Sequence, residues 1–369
     1  MKTNFTLFLL SFAYIAFAQN GAPANPYYNG SNWTLTGMNL KNALETKITD
    51  THTNLLSYSN VWDAAQATDL DPTDATNANV LLLYGFSSGI CPAAAASDND
   101  HRRRDKFSNG GGTSCQWNRE HVFAKGLGTP TLDDGGSSDA GEDAHHLRAC
   151  DVDRNNNRGS LKFISGSGNS TATNGGWYPG DEWKGDVARM IMYMYLRYPS
   201  QCLPKNVGIG TVVATDTNMI QLFLQWNAED PVSLYEDNRN TYHGNTSNSF
   251  AQGNRNPFID NPYLATLIWG GPVAQNRWPT TILETATFAT LENSLVYPNP
   301  TTNNEIMVEA PLNITSFSIF NIGGQLIMEL KNPEKLQNNA YKIGNIPSGF
   351  YFLKINSEQN STTKKITVH

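Results

Sequence analysis

A carboxylate, a histidine, an amide and two arginines lie within two short segments of this 369-residue chain. In sequence order they are Glu120, His121, Arg148, Asn155 and Arg158. Hydrolysis of a phosphodiester needs a base that activates water, a divalent cation that neutralises phosphate charge, and a cationic group that stabilises the transition state. Together these side chains can supply the base, the ligands of the cation and the positive charge.

Each side chain suits one part of that chemistry. His121 titrates near neutrality and therefore suits a general base. Glu120 and Asn155 carry oxygen atoms, the ligands that magnesium prefers. Arg148 and Arg158 have guanidinium groups that can bind phosphate oxygens, and a structural ion pair is an equally good interpretation of either.

Spacing alone leaves other functions open. Neighbours on a regular strand point to opposite faces, so Glu120 and His121 can share one site only if the strand ends or distorts there. A zinc hydrolase built on His121, His145 and His146 is one alternative, although adjacent histidines rarely ligate one ion and the HExxH spacing is absent. A secreted binding protein with structural histidines is another. With Asp143, the two later histidines could also orient a metal site without ligating it.

The segments that carry these residues need strands and helices to position them. Gln116–Phe123 predicts a short strand, and Ala144–Asn156 predicts a structured turn or a second strand that runs into a helix. Apolar spacing predicts helices over Met38–Ile48, Asp186–Tyr198, Asn218–Ala228 and Tyr263–Trp269. Loops are predicted for Thr129–Gly141 and for most of Asp69–Gly112, with a short buried strand or helical turn over Val80–Tyr84.

The chain begins with the pattern of a secretory signal peptide over residues 1–18. Lys2 precedes an apolar run from Phe5 to Phe17, and a small-x-small cleavage pattern ends at Ala18. A buried N-terminal helix is the alternative. Because a membrane span needs about 20 apolar residues and no later stretch qualifies, we expect an exported protein without membrane insertion.

Four cysteines are present. An even number in an exported chain suggests disulfides, and three connectivities are possible. The preferred pairing is Cys91 with Cys115 and Cys150 with Cys202. None of the four has the CxxC spacing of a zinc or redox site.

The formal net charge of −7 gives no general attraction to a polyanion. A protein that binds nucleic acid would therefore need a local basic surface. The segment His101–Lys106, which contains three consecutive arginines, is a candidate. A solvated loop is an equally good interpretation of it.

The length of the chain predicts two domains. The pattern of predicted secondary structure changes after about Thr280. Short strand-like runs alternate with turn signals there, which predicts a small β-sandwich. The runs are Ile306–Glu309, Ser316–Asn321, Gln325–Leu330, Phe350–Ile355 and Lys364–Val368. We therefore predict an α+β first domain followed by a small β domain.

Several sequence motifs resemble, in order, the signature of the endonuclease I family, particularly its bacterial extracellular ribonuclease branch. They are WNREHVFAKG from Trp117, DAGEDAHHLRACDVDRNNNRG from Asp139, PGDEWKGDVAR from Pro179 and GNRNPFID from Gly253. The resemblance covers roughly Asn25 to Trp278. Ala124 and Gly126 depart from the proline and serine of many relatives, and neither departure replaces a proposed catalytic atom.

The resemblance implies a ββα-metal active site in a catalytic domain over residues 19–280. His121 would be the general base, and Glu120 and Asn155 would ligate one Mg²⁺, or Mn²⁺ or Ca²⁺ in its place. Arg158 and Arg148 would assist at the phosphate. The implied activity is non-specific cleavage of DNA, RNA or both to 5′-phosphate products, by a route that does not use the 2′-hydroxyl.

The C-terminal strands resemble the sorting domain of the type IX secretion system. The matching words are YPNP from Tyr297, NIGGQ from Asn321, GFYFLKI from Gly349 and KKITV from Lys364. The resemblance implies a linker over 281–294, a sorting domain over 295–369, and the type IX secretion machinery as a partner. A β-sandwich that binds carbohydrate or a cell surface is the alternative. We expect a secreted, extracellular monomer.

Overall fold

The computed structural model describes residues 23–85, 102–112, 115–133, 135, 139–282, 291, 294–310, 312–336, 340–357 and 361–369. The predicted signal peptide lies outside the described residues, as does most of the predicted linker. The chain divides into two compact units, Met1–Leu283 and Glu284–His369. Helices and strands are mixed in the first unit, which fits the α+β class.

In its described residues, the first unit combines helices with four two-stranded antiparallel pairs. Its described helices are α1 (Gly37–Asp50), α2 (Asn60–Thr68), α3 (Val152–Arg158), α4 (Lys184–Arg197), α5 (Pro204–Val207), α6 (Gln221–Glu229), α7 (Leu234–His243), α8 (Pro257–Asp260) and α9 (Tyr263–Trp269). The strand pairs are β1 (Asn79–Leu81) with β2 (Arg103–Asp105), β3 (Trp117–His121) with β4 (Leu147–Asp151), β5 (Thr171–Thr173) with β6 (Gly176–Tyr178), and β7 (Val212–Val213) with β8 (Asp216–Ile220).

Helix α4 is the central element of this unit. All of its residues from Gly185 to Leu196 are buried, and helices α1 and α6 pack against it. Apolar spacing predicted this helix over Asp186–Tyr198. Neighbouring elements cover the helix on all sides, which the pattern of a single helix cannot show.

Strands β3 and β4 pair with each other, and helix α3 follows β4 without a break. The strands pair antiparallel from Trp117 opposite Asp151 to His121 opposite Leu147. Helix α3 begins directly after β4, because the Asp151 side chain accepts hydrogen bonds from the backbone amides of Asp153 and Arg154, both at 3.0 Å. This arrangement agrees with the predicted second strand that runs into a helix.

Other predicted elements needed adjustment. The helix expected over Asn218–Ala228 begins only at Gln221, because Asp216–Ile220 pairs with β7 as a strand. Helix α7 was not predicted, although its start carries a readable signal. Ser233 and Glu236 form a capping box, in which each side chain accepts a hydrogen bond from the other residue's backbone amide.

The arginines of the basic segment are paired with carboxylates. Arg102 lies 2.5 Å from Glu182, and Arg103 lies 2.7 Å from Asp71. The buried Arg104 lies 3.0 Å from Asp151. These ion pairs neutralise the charges of the three arginines, which disfavours this segment as the basic surface that the sequence suggested. His101 lies outside the described residues.

The predicted disulfide between Cys150 and Cys202 is wrong. Cys150 and Cys202 are both buried and unpaired. The Cys150 thiol on β4 instead donates a hydrogen bond to the carbonyl of Leu83 at 3.3 Å. Cys91 lies outside the described residues, so its pairing with Cys115 stays a prediction.

The second unit consists of two antiparallel sheets that share one core. The strands are β9 (Leu295–Tyr297), β10 (Ile306–Glu309), β11 (Ser316–Asn321), β12 (Leu326–Lys331), β13 (Ala340–Ile343), β14 (Gly349–Asn356) and β15 (Ser361–Val368). One sheet has the order β13-β10-β9 and the other the order β12-β11-β14-β15. Inward residues such as Val308, Ile319 and Leu353 form the core between them.

Candidate active site

Four of the five predicted site residues line one cleft of about 240 Å³ at the end of strand β3. They are Glu120, His121, Asn155 and Arg158. The remaining lining residues are Arg119, Ala124, Lys125, Gly126, Gly159 and Ser160. Chain segments more than 30 positions apart therefore meet at a single opening.

Glu120 and His121 reach the same cleft because strand β3 ends at His121. The chain beyond the strand is held by Arg158 of helix α3. Its Nη1 donates to the carbonyl of His121 and its Nη2 to the carbonyl of Val122, both at 2.9 Å. The guanidinium thus fixes the turn that allows two sequence neighbours to share one site.

The Glu120 carboxylate is buried, with 2% of the residue exposed. Its Oε1 lies 3.1 Å from Nη1 of Arg158 and accepts a hydrogen bond from the Tyr84 hydroxyl at 3.2 Å. Burial raises the pKa of Glu120 to about 7, and the charge of Arg158 and the Tyr84 hydrogen bond oppose that rise. A divalent cation beside this carboxylate would favour its ionised form.

The orientation of His121 is set by a backbone carbonyl. Its Nε2 lies 2.8 Å from the oxygen of Gly141 and must donate the proton, because a carbonyl only accepts. The neutral ring therefore carries its lone pair on Nδ1. Burial, with a further contribution from His146, keeps the pKa of His121 well below its usual value. At neutral pH the ring is thus an uncharged base.

The carbonyl that orients His121 belongs to a well-supported segment. The Asp139 side chain accepts from the amide of Gly141 at 2.9 Å. Two positions further along, the buried Asp143 carboxylate accepts from the hydroxyl of Tyr193 at 2.9 Å and from that of Tyr198 at 3.1 Å. Asp143 therefore supports the loop that orients His121, through side chains of helix α4 and of the residue after it.

Asn155 presents its amide in a defined orientation. Its Nδ2 donates to Oδ1 of Asn118 at 2.7 Å. Because the nitrogen is used in this way, the oxygen is the end of the amide that remains for the cleft. Asn118, which carries no reactive group, thus orients a proposed metal ligand.

Comparison with known proteins identifies the family. A family model described as Endonuclease I matches residues 36–263. The chain belongs to the endonuclease I family. A second model, described as a secretion system C-terminal sorting domain, matches residues 295–369. This endonuclease I family protein is therefore a secreted nuclease.

Two curated relatives are similar to this endonuclease I family protein. The extracellular ribonuclease of Bacillus subtilis (strain 168) is 39% identical over 264 residues, which cover 67% of this chain and 82% of the relative. The extracellular ribonuclease of Bacillus amyloliquefaciens is 39% identical over 246 residues, covering 63% and 75%. None of the helices in the described ranges combines the length and the apolar composition needed to cross a lipid bilayer.

Arg148 lies apart from the cleft in this endonuclease I family protein. It pairs in register with Glu120, but its fully buried guanidinium contacts other acidic groups. Nη1 lies 3.1 Å from Asp186 and Nε lies 3.5 Å from Asp69, and the guanidinium carbon lies 4.2 Å from the ring centre of Tyr235. These contacts favour the structural interpretation of Arg148 over contact with the phosphate.

The geometry disfavours the zinc alternative. His146 donates through Nε2 to the carbonyl of Ala140 at 2.8 Å, and its Nδ1 accepts from the amide of Phe123 at 3.4 Å. His145 packs its ring against Tyr193 and His243. Across the part of the chain that the structure describes, no three histidine, cysteine or acidic side chains converge as metal ligands.

Several residues of the site were not predicted from the sequence. Tyr84 binds Glu120, and Tyr58 stacks on His121 with ring centres 5.5 Å apart. Lys125 and Ser160 line the cleft. The only one of these residues that the sequence could have indicated is Lys125, which lies in the WNREHVFAKG motif. The contacts of the others depend on the folded chain.

Acid should destabilise the folded protein. Burial is the largest cause that lowers the pKa of five histidines: His52, His121, His145, His146 and His243. For His145 and His146 the pKa falls to about 4. The unfolded chain therefore binds protons that the folded chain excludes, and stability is lost as pH falls from about 6.5 towards 4.

Each pKa unit corresponds to about 1.4 kcal/mol, so we expect a clearly lower free energy of urea unfolding at about pH 5 than at about pH 7.5. Burial raises the pKa of Glu120, Asp186 and Asp230, and these three groups act in the opposite sense to the five histidines. His243→Leu should flatten the profile, because this fully buried ring has no hydrogen-bond partner on either nitrogen. Equal stability at both pH values would contradict the prediction.

Proposed function

We propose that this secreted nuclease is a magnesium-dependent, non-specific endonuclease that hydrolyses DNA and RNA to 5′-phosphate products. The observation that carries the proposal is the convergence of Glu120, His121 and Asn155 on one cleft. The relatives named as extracellular ribonucleases support RNA as a substrate. Because the proposed base acts on water rather than on a 2′-hydroxyl, DNA fits the same route.

In this proposal His121 is the general base. Its Nδ1 takes a proton from water as the water oxygen bonds to phosphorus, and the bond from phosphorus to the 3′ oxygen breaks. The 3′ oxygen leaves with a proton from solvent, and the phosphate stays on the 5′ side. The Gly141 carbonyl 2.8 Å from Nε2 holds the ring in place and stabilises the imidazolium that forms.

The residues of the cleft fit a single magnesium ion. Glu120 offers a carboxylate oxygen and Asn155 an amide oxygen, and Mg²⁺ in proteins commonly has few protein ligands and keeps several waters. A bound Mg²⁺ would supply charge neutralisation at the phosphate. The hydrogen bond from Asn155 to Asn118 and the contact of Glu120 with Arg158 hold both ligands in position.

The proposal can be tested on purified protein with plasmid DNA and with structured RNA, each in magnesium and in EDTA. We expect cutting of both substrates that needs magnesium and leaves 5′-phosphate ends. Magnesium-independent cutting would overturn the assignment of the cation. No cutting by a folded sample would overturn the endonuclease assignment.

The variant Glu120→Gln should weaken the response to magnesium. The amide keeps the size of the side chain but loses the charge, so the Mg²⁺ concentration for half-maximal cutting should rise at least about 10-fold. Direct binding of Mn²⁺, followed calorimetrically without substrate, should weaken in parallel. The control variant Glu45→Gln alters a partly exposed carboxylate that pairs with Lys41 on helix α1. An unchanged metal titration in Glu120→Gln would remove this residue from the ligand set.

A further inference from the structure

The ring of Tyr58 stacks on the imidazole of His121. The two ring centres lie 5.5 Å apart and the planes are inclined by 30°, which is within the range of an offset aromatic stack. The ring of His146 also contacts His121, edge to face, with the centres 5.5 Å apart and the planes at 61°. Together with the hydrogen bond from Nε2 to the Gly141 carbonyl, these contacts restrict rotation of the imidazole.

The Tyr58 ring is itself held by Arg119. The guanidinium carbon of Arg119 lies 3.5 Å from the ring centre of Tyr58, and Nη1 donates to the backbone carbonyl of the same tyrosine. The guanidinium carbon also lies 4.1 Å from the ring centre of Trp62, in the first turn of helix α2. One side chain therefore contacts both the ring and the backbone of Tyr58. Arginine suits this position because its planar group stacks on rings while its N–H groups still donate.

Strand β3 explains why Arg119 and His121 meet the same tyrosine. Alternate side chains of a strand point to one face, and these two residues are two positions apart at the end of the strand. Two positions earlier, the ring of Trp117 lies 5.1 Å from that of Trp62. Successive contacts along the strand therefore join Trp117, Trp62, Arg119, Tyr58 and His121.

The backbone of Tyr58 is also joined to the loop that orients the imidazole. Its amide donates to Oε1 of Glu142 at 3.1 Å, and Glu142 is 2% exposed. Glu142 directly follows Gly141, whose carbonyl accepts the proton on Nε2 of His121. The residue that stacks on the ring and the carbonyl that selects its tautomer are therefore linked through one buried carboxylate.

We propose that Tyr58 is a positioning residue for His121, and that Arg119 acts through Tyr58. This inference rests on the proposed function, in which Nδ1 of His121 takes the proton from water. A stack on the ring opposes its rotation, and rotation would move the Nε2 proton away from Gly141 and Nδ1 away from the attacking water. Misplacement of a reacting group by about 1 Å can cost about 100-fold in rate, so this support acts on the chemical step.

The first test compares Tyr58→Leu with Tyr58→Phe. Leucine removes the aromatic ring, so kcat for plasmid cleavage should fall by about 10- to 100-fold, while KM and the magnesium concentration for half-maximal cutting stay within about 2-fold. Phenylalanine keeps the ring and should retain most of kcat. The control Tyr242→Leu changes a half-buried tyrosine whose ring contacts His243 outside the cleft, and it should cut at the parental rate. Thermal unfolding of each variant checks that the fold is retained.

A double-mutant cycle tests the role assigned to Arg119. Arg119→Met removes the guanidinium from the Tyr58 ring and should lower kcat while leaving KM unchanged. If Arg119 acts through Tyr58, the variant that combines Tyr58→Leu with Arg119→Met should be no slower than Tyr58→Leu alone. Losses that multiply, or a loss in Arg119→Met that falls on KM, would mean that Arg119 acts on the substrate directly and would overturn this part of the proposal.

The imidazole itself gives a readout that does not depend on cleavage. The chain has seven histidines, so isotope labelling of the histidine ring nitrogens gives few NMR signals, and the signals missing from His121→Ala identify His121. At neutral pH the parent should show one tautomer with the proton on Nε2, as the Gly141 contact requires. In Tyr58→Leu these signals should move towards a mixture of both tautomers, whereas Tyr58→Phe and Tyr242→Leu should keep the parental spectrum.

The outcomes separate the two proposals. If the parent protein cuts nucleic acid and Tyr58→Leu retains either the parental kcat or the single tautomer, the assignment of Tyr58 is overturned and the proposed function stands. A loss that Tyr58→Phe fails to recover would also overturn the assignment, because the ring would not be the group that matters. If the parent cuts neither DNA nor RNA, the proposed function fails, and the tautomer in Tyr58→Leu still decides whether Tyr58 orients the imidazole.

Discussion

Replacement of His121 by alanine is expected to lower kcat for plasmid cleavage by about 10²- to 10⁴-fold, the usual contribution of a general base. The His121 imidazole lines the cleft, and its lone pair is on Nδ1 because the Nε2 proton is engaged by the Gly141 carbonyl. The effect should fall on kcat rather than on binding, because the ring is uncharged at neutral pH. Cleavage rates at saturating DNA measure it directly.

Chemical rescue can separate a lost base from a damaged fold. Small imidazoles should restore part of the activity of His121→Ala, because they can occupy the space that the ring leaves. The variant His369→Ala, which changes the exposed C-terminal residue, is the control and should cut at the parental rate. Full activity in His121→Ala would show that another group activates the water.

Replacement of Arg148 by methionine is expected to lower the free energy of unfolding by about 3–5 kcal/mol, the usual effect of removing one partner of a buried ion pair. Arg148 is fully buried between Asp69 and Asp186. Methionine fills much of the space but leaves these carboxylates without one of their cations. Urea unfolding measures the change.

The same variant tests whether Arg148 acts on the substrate. Because its guanidinium does not line the cleft, turnover per folded molecule should stay within a few-fold of the parent. The control Lys184→Met removes a partly exposed pair with Glu229 and should change stability by no more than about 1 kcal/mol. Parental stability with lost turnover would return Arg148 to the catalytic role that the sequence suggested.

Much of the scaffold was predictable from local patterns. The strand predicted within Gln116–Phe123 and the strand that runs into a helix after Ala144 both agree with the structure. So do the long helix that ends before Pro199 and the helix Tyr263–Trp269. Periodicity and turn residues predict such elements because the pattern of apolar residues and the turn signals at the ends are local features of the chain.

The surroundings of individual side chains could not be predicted from the sequence. Arg148 and Arg158 look alike in sequence, yet one lies in an interior ion network and the other closes the turn beside the cleft. The expected bridge between Cys150 and Cys202 failed for the same reason, because side-chain direction and distance arise only when separate segments pack. The arginines around strand β2 suggested a basic surface in the sequence, whereas in the folded chain each is paired with a carboxylate.

The sequence by itself determined the family of this protein and the reactive side chains that its candidate site can use. The ordered words around Glu120, His121 and Asn155 indicated the endonuclease I family, and the C-terminal strands indicated a secretion sorting domain, as the family comparisons confirm. These signals are legible because they reside in residue types and short spacings.

Only the tertiary structure decided how that chemistry is arranged. The end of strand β3 brings Glu120 and His121 to one cleft, and the distant Gly141 carbonyl selects the tautomer of His121. The partners Tyr84 and Asn118 orient the two proposed metal ligands. Such contacts join residues that are tens of positions apart, so they depend on packing and burial rather than on any local pattern in the chain.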